Sequence, residues 1–231
     1  MDSMMAYNRK GNLNQLYHMF AYLCIKHNSS LVFDLLEPNI DESHFPREYW
    51  SASAYGECSE DTPPNIPKPH VIGFTMQTFV ESDHAGELPT QRSRTGFIIY
   101  INSDPIYWFY KRQVLVEKRS SGSEFIAMKQ CCEYVLGLRY KLCMMGIPVD
   151  LTTYILGDNQ SVLVNTSKHH STLKNKSVSI DFHYVRKGTT KDELITAYVK
   201  MHLNPDDMLT KSLPSGQKRS YFLSFLLHYI N

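Results

Sequence analysis

Four acidic positions, Asp83, Glu124, Asp158 and Asp207, stand where regular elements start or stop in the sequence. Asp83 closes an alternating run in FVESDHAG, and Glu81, two residues earlier, shares its strand face. Glu124 lies in SSGSEFIAMKQCCEYVL, one helical turn before Met128, on the face that Met128, Cys132, Val135, Leu138 and Leu142 turn to a core. Asp158 sits between YILG and NQSVLV, and Asp207 falls in the first turn after Asn204-Pro205. Each acid has an ordinary use. Asp83 suits a polar strand end entering a glycine turn, Ser121-x-x-Glu124 has capping-box spacing, Asp158 is a good helix N-cap, and Asp207 or Asp206 can face a helix dipole. Gathered at one edge with no lysine beside them, however, they repel unless divalent cations lie between. An oxygen-only ligand set selects Mg²⁺ or Mn²⁺. Two such ions about 4 Å apart can activate a water and stabilise the leaving oxygen of a phosphodiester.

Positioning such acids requires a mixed α/β sheet. VIGFTMQTFVES, GFIIYI (96–101) and PIYWFY (105–110) alternate as strands, and the short NSD between the last two predicts a hairpin. Residues 121–145 read as one long helix closed by Gly146 and Pro148. TTYILG (152–157) predicts a fourth strand, followed by a helix from Asp158. A helical stretch at 176–188, a fifth strand LITAYVKMH (194–202) and a helix after Asn204-Pro205 complete the order. Three antiparallel strands, a helix, a strand, helices and a strand predict a mixed five-stranded α/β sheet flanked by helices.

Residues before this block read differently. Leu13, Leu16, Phe20 and Leu23 predict an amphipathic helix over 13–26. Residues 38–69 are acidic, rich in Ser, Pro and aromatics, and read as a linker or an irregular connection. The expected organisation is therefore 1–70 as the end of a larger domain plus its connection, 71–214 as the main domain, and 215–231 as an apolar-faced terminal helix. The net charge of +1 hides an asymmetry: residues 34–62 hold eight acids and one base (−7), which leaves +8 on the remainder. That balance is compatible with a polyanionic partner without requiring one. No apolar run is long enough to span a bilayer, so no membrane association is expected. Five cysteines without C-x-x-C or zinc spacing fit small packed residues in a reducing, intracellular compartment.

Several stretches in order, SDHAG with RSRTGFIIYI, then IYWFYKRQ, SSGSEFIAM, GDNQSVL and DDMLTKSLP, resemble the ribonuclease H domain that ends copia-type retrotransposon Pol polyproteins. The resemblance covers about residues 71–214, and LNQLYHMFAYL more weakly resembles the end of the preceding reverse transcriptase. It implies a ribonuclease H-like fold, a cytoplasmic site of action in a virus-like particle or reverse-transcription complex, and hydrolysis of the RNA strand of RNA–DNA hybrids. It also implies two Mg²⁺ ions, with Mn²⁺ able to substitute, and no small-molecule cofactor. The implied partners are the hybrid and the reverse transcriptase of the same polyprotein. By position, Glu124, Asp158 and Asp207 match metal-binding acids, and Asn159 and Gln160 match nucleic-acid contacts. His202 stands where many ribonucleases H keep a histidine that aids proton transfer or product release. Lys111 and Arg112, with Lys118 and Arg119, are expected to meet phosphates beside Tyr107, Trp108 and Tyr110.

Two departures matter. The family commonly reads D-A-D where this chain has Glu81-Ser82-Asp83, so either Glu81 or Asp83 is the first metal ligand. The extra methylene of Glu81 moves a carboxylate by about 1.5 Å. The glutamate usual two positions before Glu124 is Gly122 here. A decayed copy that binds nucleic acid without cutting it is the alternative, and an integrase or resolvase is disfavoured by the E-F-I-A-M and D-x-L-T-K contexts.

Overall fold

The protein is represented by a computed structural model that describes residues 10–31, 38, 40, 45, 47–51, 53–56, 58–60, 64–71, 73–87, 89–149, 151–173, 176–211, 213, 216–226, 228 and 229. Its centre is a five-stranded sheet of β1 (Met76–Glu87), β2 (Arg92–Ile101), β3 (Asp104–Arg112), β4 (Thr153–Gly157) and β5 (Leu194–Tyr198) in the order β3-β2-β1-β4-β5. The first three strands form an antiparallel meander, and β4 and β5 join parallel to β1. This is the mixed five-stranded sheet, three antiparallel strands followed by two parallel ones, that the strand patterns predict.

Strand parity explains how the sheet carries both a core and a site. Val80 joins the core with Met76, Phe97 and Ile99, packed against Phe125, Met128, Cys132 and Val135 of the long helix α2 (Ser120–Met144). Glu81, the next residue, must therefore point to the other face. Beyond β4, helices α3 (Gln160–Ser167) and α4 (Ser179–Thr190) add Val162, Leu163, Phe182 and Val185 to the same core. Buried apolar area at roughly 25 cal/mol per Å² is what holds these layers together. Cys131 and Cys132 are buried free thiols within α2, as their helical pattern suggested.

On the Glu81 face lies the one-turn helix α5 (Asp207–Thr210). The Asn204 side chain fixes its entry, donating to the Val80 carbonyl at 3.5 Å and accepting from the Asp206 backbone N–H at 3.1 Å. Gly96, paired with Glu81 across the β1–β2 ladder, leaves the space that α5 occupies. A β-carbon there would fall 2.6 Å from Thr210 Cγ2 and 2.7 Å from Asp206 Oδ2. Gly96→Ala is accordingly expected to cost about 1–3 kcal/mol through overpacking. A thermal melt within error of the parent protein would refute this.

The chain divides into two compact units, residues 1–32 with 223–231, and residues 33–222. The smaller contains α1 (Lys10–Ile25) and an antiparallel pairing of Ser29–Ser30 with Tyr229 and His228. In α1 the apolar residues Leu13, Phe20 and Leu23 are exposed. Helix α6 (Gln217–Leu226) buries Phe222. The acidic connection is irregular, as read from sequence, but its described residues pack on the sheet unit. Trp50 is buried, Phe45 meets the Tyr154 ring edge-on, and Glu60 pairs with buried Arg139 of α2 at 2.8 Å. No described helix is long and apolar enough to cross a membrane.

Candidate active site

The ordinary helix-end uses of Glu124 and Asp158 are not the ones the structure shows. Helix α3 is capped by Asn159, whose side chain accepts from the Val162 N–H at 3.3 Å, so Asp158 is left outside the cap. Helix α2 has Arg119 at its N-cap without a side-chain capping bond. Glu124 instead accepts from the backbone N–H of Ser82 on β1. Glu124 is thereby held against β1, within electrostatic reach of Asp158.

Glu81 lies at the centre. One carboxylate oxygen accepts from Thr210 Oγ1 at 3.1 Å and the other meets Lys211 Nζ at 2.5 Å. Burial, reinforced by a hydrogen bond with Asp207, pushes its pKa up to about 8. Burial likewise raises Glu124 well above the usual carboxylate range, and the charges of Asp158 and Glu81 add to it. Asp158 is also raised, by burial first, with Lys211 opposing and Asp207 reinforcing the shift. For Asp207 burial pushes upward too, but hydrogen bonds with Glu81, Lys211 and Lys218 outweigh it and hold the group below its ordinary value. Glu81, Glu124, Asp158 and Asp207 thus form one electrostatically linked cluster.

Three features of the cluster escaped the sequence reading. Lys211 pairs with both Glu81 and Asp207, and Lys218 of α6 pairs with Asp207, so the expectation of acids without neighbouring lysines was wrong. A lysine four residues beyond Asp207 on a helical path was the available signal. The third is Asp206, which stands at the helix start as expected but is fully buried. Neither of its oxygens has a hydrogen-bond partner of normal geometry among the described residues. Burial and the charges of Glu81 and Glu124 raise it far above the usual range.

Among known proteins, no family model matches the chain. The Pol polyprotein of transposon TNT 1-94 from Nicotiana tabacum is 24% identical over 143 residues, 62% of this chain. That of transposon RE2 from Arabidopsis thaliana is 26% identical over 142 residues, 61% of this chain. The chain is a homologue of copia-type retrotransposon Pol polyproteins. It spans only about a tenth of their length, the matched part being 11% and 10% of the two relatives. Solved structures that align with this Pol homologue include the N-terminal ribonuclease H domain of a Mycobacterium tuberculosis protein, solved as a fusion with maltose binding protein. It is 11% identical, with a TM-score of 0.47 over 60% of this chain and 91% of that one. A ribonuclease H isolated from compost, in complex with an RNA/DNA hybrid, is 12% identical, with a TM-score of 0.47 over 58% and 93%.

The remaining predicted residues of this Pol homologue are more dispersed. Asp83 lies opposite Arg94 in the β1–β2 ladder and folds back over the strand: a β-carbon on Gly86 would fall 1.7 Å from its Oδ2. Its pKa is raised by burial, with Arg94, Lys211 and His84 opposing, and none of the clustered acids contributes. The structure therefore gathers Glu81, not Asp83, with the other three acids. His202 is exposed on the 3-10 turn Met201–Leu203, apart from them. Asn159 spends its side-chain oxygen on the cap, while Gln160 is exposed beside it. Lys111 is exposed at the end of edge strand β3. Arg112, expected to face phosphate, instead forms two 3.0 Å bonds with buried Glu87. Tyr107, Trp108 and Tyr110 line the same strand at the surface.

The donor chemistry of the cluster fits hard divalent cations: four oxygen-only side chains, mutually repelling, above an orphaned Asp206 carboxyl. In the ion-free state the folded protein keeps a proton on Glu81 that the unfolded chain releases. Stability should therefore fall as pH rises from the model-compound value of 4.5 through about 8. One such proton gives a slope of at most about 1.4 kcal/mol per pH unit. Urea midpoints compared at about pH 5 and about pH 8 in chelator test this. A rising midpoint would contradict it.

Proposed function

We propose that this chain is a divalent-metal-dependent endoribonuclease that hydrolyses the RNA strand of RNA–DNA hybrids. The observation that carries this reading is the convergence of Glu81 of β1, Glu124 of α2, Asp158 after β4 and Asp207 of α5 into one electrostatically linked cluster beside the central strands. These four acids would hold the ions. Bound Mg²⁺ or Mn²⁺ would supply water activation and stabilise the charge that builds on the phosphodiester. A water then attacks phosphorus, the bond to the ribose 3′ oxygen breaks, and the products carry a 5′-phosphate and a 3′-hydroxyl. The chain's own groups set the stage. Glu81 is buried and Glu124 half-buried, in surroundings less polar than water, where charge interactions are stronger. Lys211 and Lys218 hold Asp207 ionised. The exposed residues of edge strand β3, Lys111 on one face and Trp108 on the other, offer contacts for phosphate and sugar.

A second reading has its own observation. Lys211 already bridges Glu81 and Asp207, and Lys218 adds a second positive charge at Asp207, so a chain that binds hybrid without ions, and does not cut, is chemically coherent. Incubation of end-labelled hybrid with the full chain in Mg²⁺, in Mn²⁺ and in chelator separates the two. Metal-dependent cleavage supports the nuclease. Salt-sensitive binding with no product in either metal favours the second reading.

A further inference from the structure

We propose a second metal site, remote in chemistry from the acid cluster: a zinc-type site formed by Glu48, His169 and His170. Among the described residues these are the three side chains that bring carboxylate and imidazole ligand atoms within 4.8 Å of one another. The acid cluster has only oxygen donors, whereas two imidazoles and a carboxylate match borderline ions such as Zn²⁺ and Co²⁺. Three protein ligands at a partly exposed position leave a fourth site for water.

Both halves of the site are held in place by the fold. Glu48 Oε2 lies 2.9 Å from His169 Nδ1 and accepts from the His169 backbone N–H at 2.9 Å. The loop that carries the histidines is pinned by buried Arg186. Its guanidinium donates to the carbonyls of Asn165, His169 and Ser171 at 3.3, 2.5 and 3.0 Å. Trp50, two residues after Glu48, covers that guanidinium with its centroid 4.8 Å away and meets the His169 ring edge-on. Connection and loop are therefore juxtaposed before any ion arrives.

The distances suit a cation after a small adjustment. Zinc bonds of about 2.0–2.1 Å in tetrahedral geometry separate two ligand atoms by roughly 3.3 Å. Opening the Glu48–His169 pair from 2.9 Å requires only a few tenths of an ångström. His170, exposed and T-stacked on His169 with centroids 5.2 Å apart, closes the set by rotating its side chain. A bound ion would clasp the connecting segment at Arg47–Trp50 to the loop after α3. It would stabilise the folded chain in proportion to its occupancy.

The test is titration of the full chain with Co²⁺ and with Zn²⁺ in a competing chelator, in millimolar-range Mg²⁺ so that the acid cluster is not the reporter. The expected result is one high-affinity equivalent, an intense visible Co²⁺ spectrum, and a melting temperature that rises with Zn²⁺. His170→Ala, at an exposed position, and Glu48→Gln, which keeps an acceptor for the His169 N–H, should each weaken Zn²⁺ binding at least tenfold and abolish the melting shift. Zn²⁺ binding of equal affinity in parent and both variants, or none at micromolar free metal, would overturn the proposal.

Discussion

Cleavage of an RNA–DNA hybrid by the Glu124→Gln variant is expected to fall by at least about a thousandfold, while its melting temperature holds or rises. The two outcomes have a common cause. Glu124 is a half-buried carboxyl close to the charges of Asp158 and Glu81, so in the ion-free fold it adds repulsion, and an amide of the same shape removes it. Gln can still accept from the Ser82 N–H, which keeps the helix end docked on β1. What Gln cannot supply is the negative charge that a hard cation requires. Loss of about 4 kcal/mol of transition-state stabilisation corresponds to the stated rate. A stable variant that cleaves at more than a tenth of the parent rate would remove Glu124 from the site. A variant that unfolds would show that its role is structural, through its contact with the Ser82 N–H.

Much of the framework was readable because it depends on periodicity. The alternation in residues 76–80 and the helical spacing from Met128 to Leu142 are consequences of burying one face, and the structure keeps both, whereas residues 96–100 are buried on both faces. Competition between adjacent polar residues was less readable. Asp158 and Asn159 are both good caps, and the choice of Asn159 is what releases the carboxylate. Local pattern also could not separate Glu81 from Asp83, since both share a strand face. The difference comes from the β1–β2 partners: Gly96 opposite Glu81 admits α5, whereas Arg94 stands opposite Asp83. The packing of Trp50 and Glu60 was hidden for a similar reason. Arg139 lies in a helix whose pattern gave it no core position, and its burial follows only once Glu60, 79 residues earlier, is brought to it.

Lys211→Ala should make folding depend on divalent ions. Its ammonium bridges Glu81 and Asp207, and it also lowers the cost of charge on Glu124 and Asp158. Removing one partner from a buried ion pair costs about 3–5 kcal/mol. Lys211 is itself about a third exposed, at 36% of its side chain, so a loss near the lower bound, about 3 kcal/mol, is expected in chelator. With Mg²⁺ the same variant should recover most of that stability, because the ion then neutralises the acids that the ammonium had neutralised. Its apparent Mg²⁺ affinity should exceed that of the parent, where ion and ammonium compete for Glu81 and Asp207. Chemical denaturation in chelator and in graded Mg²⁺ reads both effects. If Mg²⁺ stabilises parent and variant equally, the lysine and the ion do not share those carboxylates, and the acid cluster is an ion-paired structural element. If the variant gains more, the ammonium occupies the position that a cation takes during catalysis.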